Sequence, residues 1–216
     1  MATATRPAQA HLVDAAGGRV PLDIDRWRRD LDHVEHALLG DLPDPVLDVG
    51  CGPGRVPAAL AAAGRTTLGI DLSPHAVAEA RGRGAPVLHR SVFGRLPGEA
   101  RWGAVVLLDG NIGIGGDPLA LLRRVGELLA PGGRLLAEVE APGASTGCLA
   151  VRIETAAGRA VGPWFPWARV GADRFGSLAE AAGLESRGVV QAGERWFGLA
   201  ARRDAGPDVH RVLEGS

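Results

Sequence analysis

The sequence predicts an α/β domain, with a mostly parallel β-sheet, helices on both faces and one antiparallel strand near the end of the chain. Three observations predict it. Short apolar runs alternate with Ala/Leu-rich stretches of helical periodicity from Pro45 to Glu140, the pattern of successive βαβ units. Gly and Pro punctuate the junctions between these segments. Finally, two strand-like runs, 184–191 and 195–202, are joined only by Ala192-Gly193-Glu194, which makes a closing hairpin and so an antiparallel strand.

Taken in order, residues 1–22 are rich in Ala, Gly and Thr and are expected to be loose. Over 23–40 the apolar residues Ile24, Trp27, Leu31, Val34 and Leu38 recur at helical spacing until Gly40, predicting one helix placed as a lid. Leu42-Pro43-Asp44-Pro45 breaks the chain before a short buried strand, 46–49. A Gly-rich turn leads into a helix over 56–63, with Pro57 in its first turn and Gly64 as its stop. A strand over 66–70 follows, and then a helix over 74–81 with Ser73 as N-cap and Pro74 at its first position. Strands are expected over 86–90 and 104–108. Asp117-Pro118 opens a helix to 129, Pro131-Gly132-Gly133 closes it, and 134–140 is the fifth strand. A β-rich excursion over 149–169 turns at Ala156-Ala157-Gly158-Arg159; a helix over 173–182 precedes the hairpin. The expected organisation is therefore a single domain over 23–203, with 204–216 as a tail.

Composition excludes several chemistries. A chain of 216 residues, 46% hydrophobic and 23% charged, suits one ordinary soluble domain. Its formal net charge of −1 provides no general field for phosphate backbones or anionic membranes, so nucleic acid and membrane are not expected partners. All 24 Lys+Arg positions are Arg, which removes Schiff-base lysines and the phosphate-binding lysine of P-loops, and there is no Tyr to act as a base. Cys51 and Cys148 make neither a disulfide framework nor a metal cluster. No stretch approaches the roughly 20 apolar residues that span a bilayer, and a cytoplasmic protein is expected.

The strongest local signal is Val46-Leu47-Asp48-Val49-Gly50-Cys51-Gly52-Pro53-Gly54-Arg55, which leaves a strand and enters a helix. Gly50 and Gly52 allow backbone angles and close approach that a Cβ would forbid, and the helix points its positive end at the loop. A dinucleotide fingerprint counted from Gly50 needs a small residue where Arg55 stands. Asp48 puts a carboxylate beside the loop. Asp71, which ends Leu68-Gly69-Ile70-Asp71, is placed to take both hydroxyls of a ribose. After the fourth strand, Asp109-Gly110-Asn111 opens a Gly-rich segment at a strand's carboxyl end, making Asp109 and Asn111 site candidates.

Together these residues resemble the class I, Rossmann-like S-adenosylmethionine-dependent methyltransferases. Val46 to Arg55 is similar to that family's first motif and Leu68 to Ser73 to its ribose-binding strand end. Leu128-Leu129-Ala130-Pro131-Gly132-Gly133-Arg134-Leu135-Leu136 is similar to its helix–turn–strand after the fourth strand. The resemblance implies a seven-stranded sheet, S-adenosylmethionine as cofactor and a small-molecule acceptor. Gly50, Cys51 and Gly52 would face the methionine part, Asp48 its amino group, and Asp71 with Leu72 the ribose. Ser91, where the family often has an acid, and Val92 would lie at the adenine, and Asp109 and Asn111 would either border the reactive sulfonium or orient an acceptor.

Candidates for a general base are Asp109, Glu140, His33 and His36. The two histidines, spaced i,i+3 with no third ligand, do not predict a metal site. Cys51 is read as an apolar filler of the loop. Trp27 either covers the cofactor or packs in the core. Trp164-Phe165-Pro166-Trp167-Ala168-Arg169 either walls an acceptor pocket or packs the excursion onto the sheet. The rival functions are an NAD(P)-dependent oxidoreductase on the same sheet and a non-catalytic module that binds the cofactor.

Overall fold

The computed structural model describes residues 10–203. Two short, wholly apolar or nearly apolar segments make the centre of the main sheet because both their faces are covered: β3 (Val46–Val49) and β6 (Trp102–Leu107) have no exposed residue. With β4 (Thr67–Asp71), β5 (Val87–His89) and β7 (Leu129–Val139) they form the parallel part. β10 (Leu184–Ala192) and β11 (Arg195–Arg202) complete the order β10-β11-β7-β6-β3-β4-β5. Only β11 runs against both its neighbours. The predicted seven-stranded sheet with one antiparallel strand is observed.

Side-chain alternation decides which helix covers which face. Leu47, Val49, Val105, Leu107, Leu135 and Ala137 share one core with α5 (Pro118–Leu128) and α6 (Ala172–Ala181). Val46, Ala104, Val106 and Leu136 share the other with α2 (His33–Gly40) and α3 (Arg55–Ala62). α4 (Pro74–Gly82) closes a third, smaller cluster of Val77, Ala80, Ala85 and Val87. Ser73 caps α4 and Asp117 caps α5, each accepting from the N–H three residues on.

The predictions need three corrections. Residues 1–22 are not all loose. Ala10–Asp14 (β1) and Arg19–Leu22 (β2) form a hairpin, and β1 pairs with β8 (Gly147–Thr155), which pairs with β9 (Ala160–Arg169). The excursion is thus half of a separate four-stranded antiparallel sheet, ordered β2-β1-β8-β9. Residues 1–9 and the tail at 204–216 lie outside the described residues. The single helix expected over 23–40 is two, α1 (Ile24–Arg28) and α2, because Asp32 and Glu35 form a reciprocal capping box that starts a new helix. The fifth strand begins earlier than residue 134, since Leu129 already pairs with Trp102 and the Pro-Gly-Gly turn is carried within the strand as an irregularity.

Candidate active site

The chain runs outward from β3 to β4 and β5, then returns to place β6 on the other side of β3. The crevice at the carboxyl ends of β3 and β6 is where an open α/β sheet binds ligands. Gly50, Gly52 and Gly54 all have positive φ, +74°, +53° and +80°, so the loop can turn tightly into α3. The amide of Asn111 donates to the carbonyls of Val49 and Gly50, both at 2.9 Å, which braces the loop from the β6 side. A Cβ on Gly50 would meet that amide at 2.6 Å, whereas a Cβ on Gly52 would meet nothing within 4 Å. The inner glycine is packed and the outer one presents bare backbone to open space.

The two predicted carboxylates flank this bare stretch. Asp71 accepts from Gly52 N–H at 2.8 Å and from Ser73 N–H at 2.7 Å, one bond to each oxygen. Each oxygen retains a second lone pair for a hydroxyl. Asp48 is 3% exposed and its carboxyl has no hydrogen-bond partner among the described residues. Burial pushes Asp48 up to about 8; Arg55 opposes this, while Asp109, Asp71 and Glu35 push it further. Burial, with Asp48 and Asp71 beside it, also pushes the Cys51 thiol well above its usual range.

Leu72, which follows Asp71 at the tip of β4, and Phe93, beyond β5, are large apolar side chains left exposed. The Ser91 hydroxyl accepts from Phe93 N–H at 3.2 Å, so its turn role is present and its own proton remains available. Val92 is buried in the core and its carbonyl accepts from Arg124.

An ion network that the sequence did not announce lies over the crevice. Glu35, on α2 and 2% exposed, binds Arg55, Arg26 and Arg195. Arg55 also binds Asp109 at 2.8 Å, and Arg195 grips Glu138 through two nitrogens at 2.9 and 2.8 Å. Asp109 has a left-handed backbone, φ +55°, and its N–H donates to Glu138. Burial opposes ionisation of Glu35, but the Arg55 hydrogen bond and charge, the Asp32 N–H and Arg195 together hold it down at about 2. Glu138 is likewise held low by Arg195, the Asp109 N–H and Arg26 against its burial. The one legible signal was the Asp32-x-x-Glu35 spacing of the capping box.

The candidate bases are not brought together. The Asp109 carboxylate is engaged by Arg55 and, at 3.5 Å, by Arg26. Glu140 pairs with Arg169 at 2.9 Å. His33 and His36 are exposed on α2. Trp27 is partly buried on α1. The aromatic patch is divided between two faces of β9. Phe165 and Trp167 meet edge to face at 6.1 Å, and Trp167 packs tightly on Gly113, whereas Trp164 is exposed and stacked by Arg152.

A family model described as a methyltransferase domain matches residues 24–187, most of the chain, including Asp48, the glycine turn and Asp71. The chain belongs to this methyltransferase family. No curated protein matches it in sequence. Among solved structures, a S-adenosylmethionine-dependent methyltransferase from Bacteroides fragilis, in complex with S-adenosyl-L-homocysteine, is 20% identical, covers 89% of this chain and 86% of its own, and has a TM-score of 0.72. The 1,6-didemethyltoxoflavin-N1-methyltransferase of Burkholderia thailandensis is 22% identical over 79% of this methyltransferase and 76% of its own chain, with a TM-score of 0.56. An amino pentose methyltransferase from Micromonospora echinaspora is 22% identical over 82% and 94%, with a TM-score of 0.57. These likenesses establish a shared Rossmann-like methyltransferase fold.

Proposed function

We propose that this methyltransferase uses S-adenosylmethionine and delivers its methyl group to a small-molecule acceptor. The observation that carries the reading is the pairing of an unpartnered buried carboxyl, Asp48, with bare backbone at Gly52 and a ribose-sized acceptor at Asp71. A cofactor that joins an ammonium, a carboxylate and an adenosine supplies a partner for each. When bound, it supplies an electrophilic methyl group on a sulfonium.

The chain's own residues then have distinct tasks. Asp48 receives the ammonium, and Asp71 accepts from the ribose hydroxyls in addition to holding the Gly52 turn. Leu72 and Phe93 offer apolar surface to the adenine and Ser91 a hydroxyl at its edge. Asn111 sets the depth of the loop. Asp109 acts as a positioning residue, since its carboxylate faces two guanidiniums, and the network above it ties α1 and α2 over the crevice and keeps water from it. This proposed catalytic unit is the single domain of residues 23–203, with α1 and α2 as its lid, extended by β1 and β2.

A small acceptor is supported by two of the similar structures, named for a toxoflavin precursor and for an amino pentose. The near-neutral charge also supports it, since polynucleotide binding draws on a basic stripe. Among the described residues, no helix is long and apolar enough to cross a membrane. Cys51 and Cys148 are both free, which supports a reducing, cytoplasmic setting. The test is transfer of a labelled methyl group from S-adenosylmethionine to fractions of a small-molecule extract. Label should appear in a low-mass product; transfer only to nucleic acid or protein would overturn the acceptor class.

A further inference from the structure

The carboxyl of Asp48 stands apart from every other acid at the crevice. Glu35, Asp109 and Glu138 each have at least one guanidinium within 2.9 Å, and the three are matched in number by Arg26, Arg55 and Arg195. Asp48 has neither a guanidinium nor an N–H donor, although it is 3% exposed. His11 Nδ1 is the one fully enclosed side-chain nitrogen or oxygen without a partner among the described residues, so the unpartnered Asp48 oxygens keep a small opening to the surface.

The charges around Asp48 come from four elements. Arg55 on α3 attracts a negative charge there, but its nitrogens are already committed to Glu35 on α2 and to Asp109 beyond β6. Those two carboxylates and Asp71 on β4 repel one. The Cys51 thiol beside it is un-ionised. A buried carboxyl with no donor, three carboxylates nearby and a committed arginine is most stable uncharged.

We infer that cofactor capture is coupled to loss of a proton from Asp48, which is neutral in the empty crevice and becomes a carboxylate only when the ligand's ammonium arrives as its partner. The O–H bond of the Asp48 carboxyl breaks, the proton passes to solvent, and an ammonium–carboxylate pair replaces it. No oxidant or further reactant is involved. The position of Asp48 at about 8 agrees with this state near neutral pH. The inference rests on the cofactor reading above and deepens it. The site selects a cationic amino group by offering a charge that exists only in the complex, and affinity must fall in acid.

The experiment is calorimetric titration of the whole protein with S-adenosylhomocysteine at about pH 6.5. At that pH an α-amino group of pKa about 7.7–8.0 is already protonated and does not contribute its own proton change. Repeating the titration in buffers of different ionisation enthalpy gives the number of protons released. About one proton should be released per ligand bound, and between about pH 5 and 7 the affinity should rise close to tenfold per pH unit. The parallel probe 5′-methylthioadenosine has the adenosine but no amino acid part, and should bind with no proton release. Asp48→Asn should bind S-adenosylhomocysteine with the proton release abolished. If that variant does not fold, the slope of affinity against pH in the unaltered protein decides alone. Binding of S-adenosylhomocysteine without proton release, or equal release with both ligands, would overturn the inference and leave the proposed function standing. Failure of both ligands to bind would overturn the proposed function and the inference with it.

Discussion

Replacing Glu35 with Gln isolates the charge at the centre of the ion network, because the amide keeps the shape and can still meet the guanidiniums. Folding lowers the Glu35 pKa from 4.5 to about 2. At about 1.36 kcal/mol per unit, this makes the charged form worth about 3 kcal/mol to the folded state. Because folding depresses the value, the contribution is complete above the unfolded pKa of 4.5 and fades as pH falls toward 2. Urea denaturation at pH 7 should therefore show Glu35→Gln less stable by about 3 kcal/mol, and thermal unfolding should shift down by roughly 6–12 °C for a domain of this size. The same comparison at pH 5, 4 and 3 should show the difference shrinking. An unchanged urea midpoint at pH 7, or a difference that persists undiminished at pH 3, would refute the assignment of Glu35 as the charged keystone between α2 and the site.

Other outcomes follow from the same geometry. Asp71→Ala removes acceptors for the ribose and for Gly52 N–H, and should weaken S-adenosylhomocysteine binding by about 1.5–3 kcal/mol, roughly tenfold or more, in a binding titration. Gly50→Ala forces a Cβ to 2.6 Å from the Asn111 amide at a φ of +74°, and should both lower the melting temperature and impair cofactor binding, whereas Gly52→Ala, at a φ of +53° but with open space for its Cβ, should lower the melting temperature less while still impairing binding. Of the two free thiols, the exposed Cys148 should react with a thiol reagent in the native protein and the buried Cys51 only on unfolding; stoichiometric labelling of both would contradict the loop packing.

Much of the main sheet was legible because its signals are local. The Val46–Val49 run is short, apolar but for Asp48, and bounded by Pro and Gly, and the caps Ser73 and Asp117 precede Pro at the first helical position. The grouping of Asp48, Gly52 and Asp71 around one turn was legible because a strand-end acid and a side-chain-free turn carry their geometry in the chain itself. The second sheet was not. β1 finds its partner β8 well over a hundred residues away, and nothing in a short Ala- and Gly-rich segment specifies so distant a pairing. The ion network was hidden for a related reason. Arg26, Glu35, Glu138 and Arg195 are scattered along the chain and each alone reads as a solvated charge, while Asp109 was read as a site candidate and not as an ion-pair partner, until the fold brings them together. Arg55 was noticed only as a residue unsuited to a dinucleotide turn, while its actual task is to bind α2 and Asp109 together.

The central claim is that the hollow between Asp48, Gly52 and Asp71 receives an adenosine joined to an amino acid. Parallel calorimetric titrations of one preparation with S-adenosylmethionine, S-adenosylhomocysteine and NAD test it most directly. Saturable one-to-one binding of the first two, without binding of NAD, is the predicted result. Saturable binding of NAD alone would contradict it.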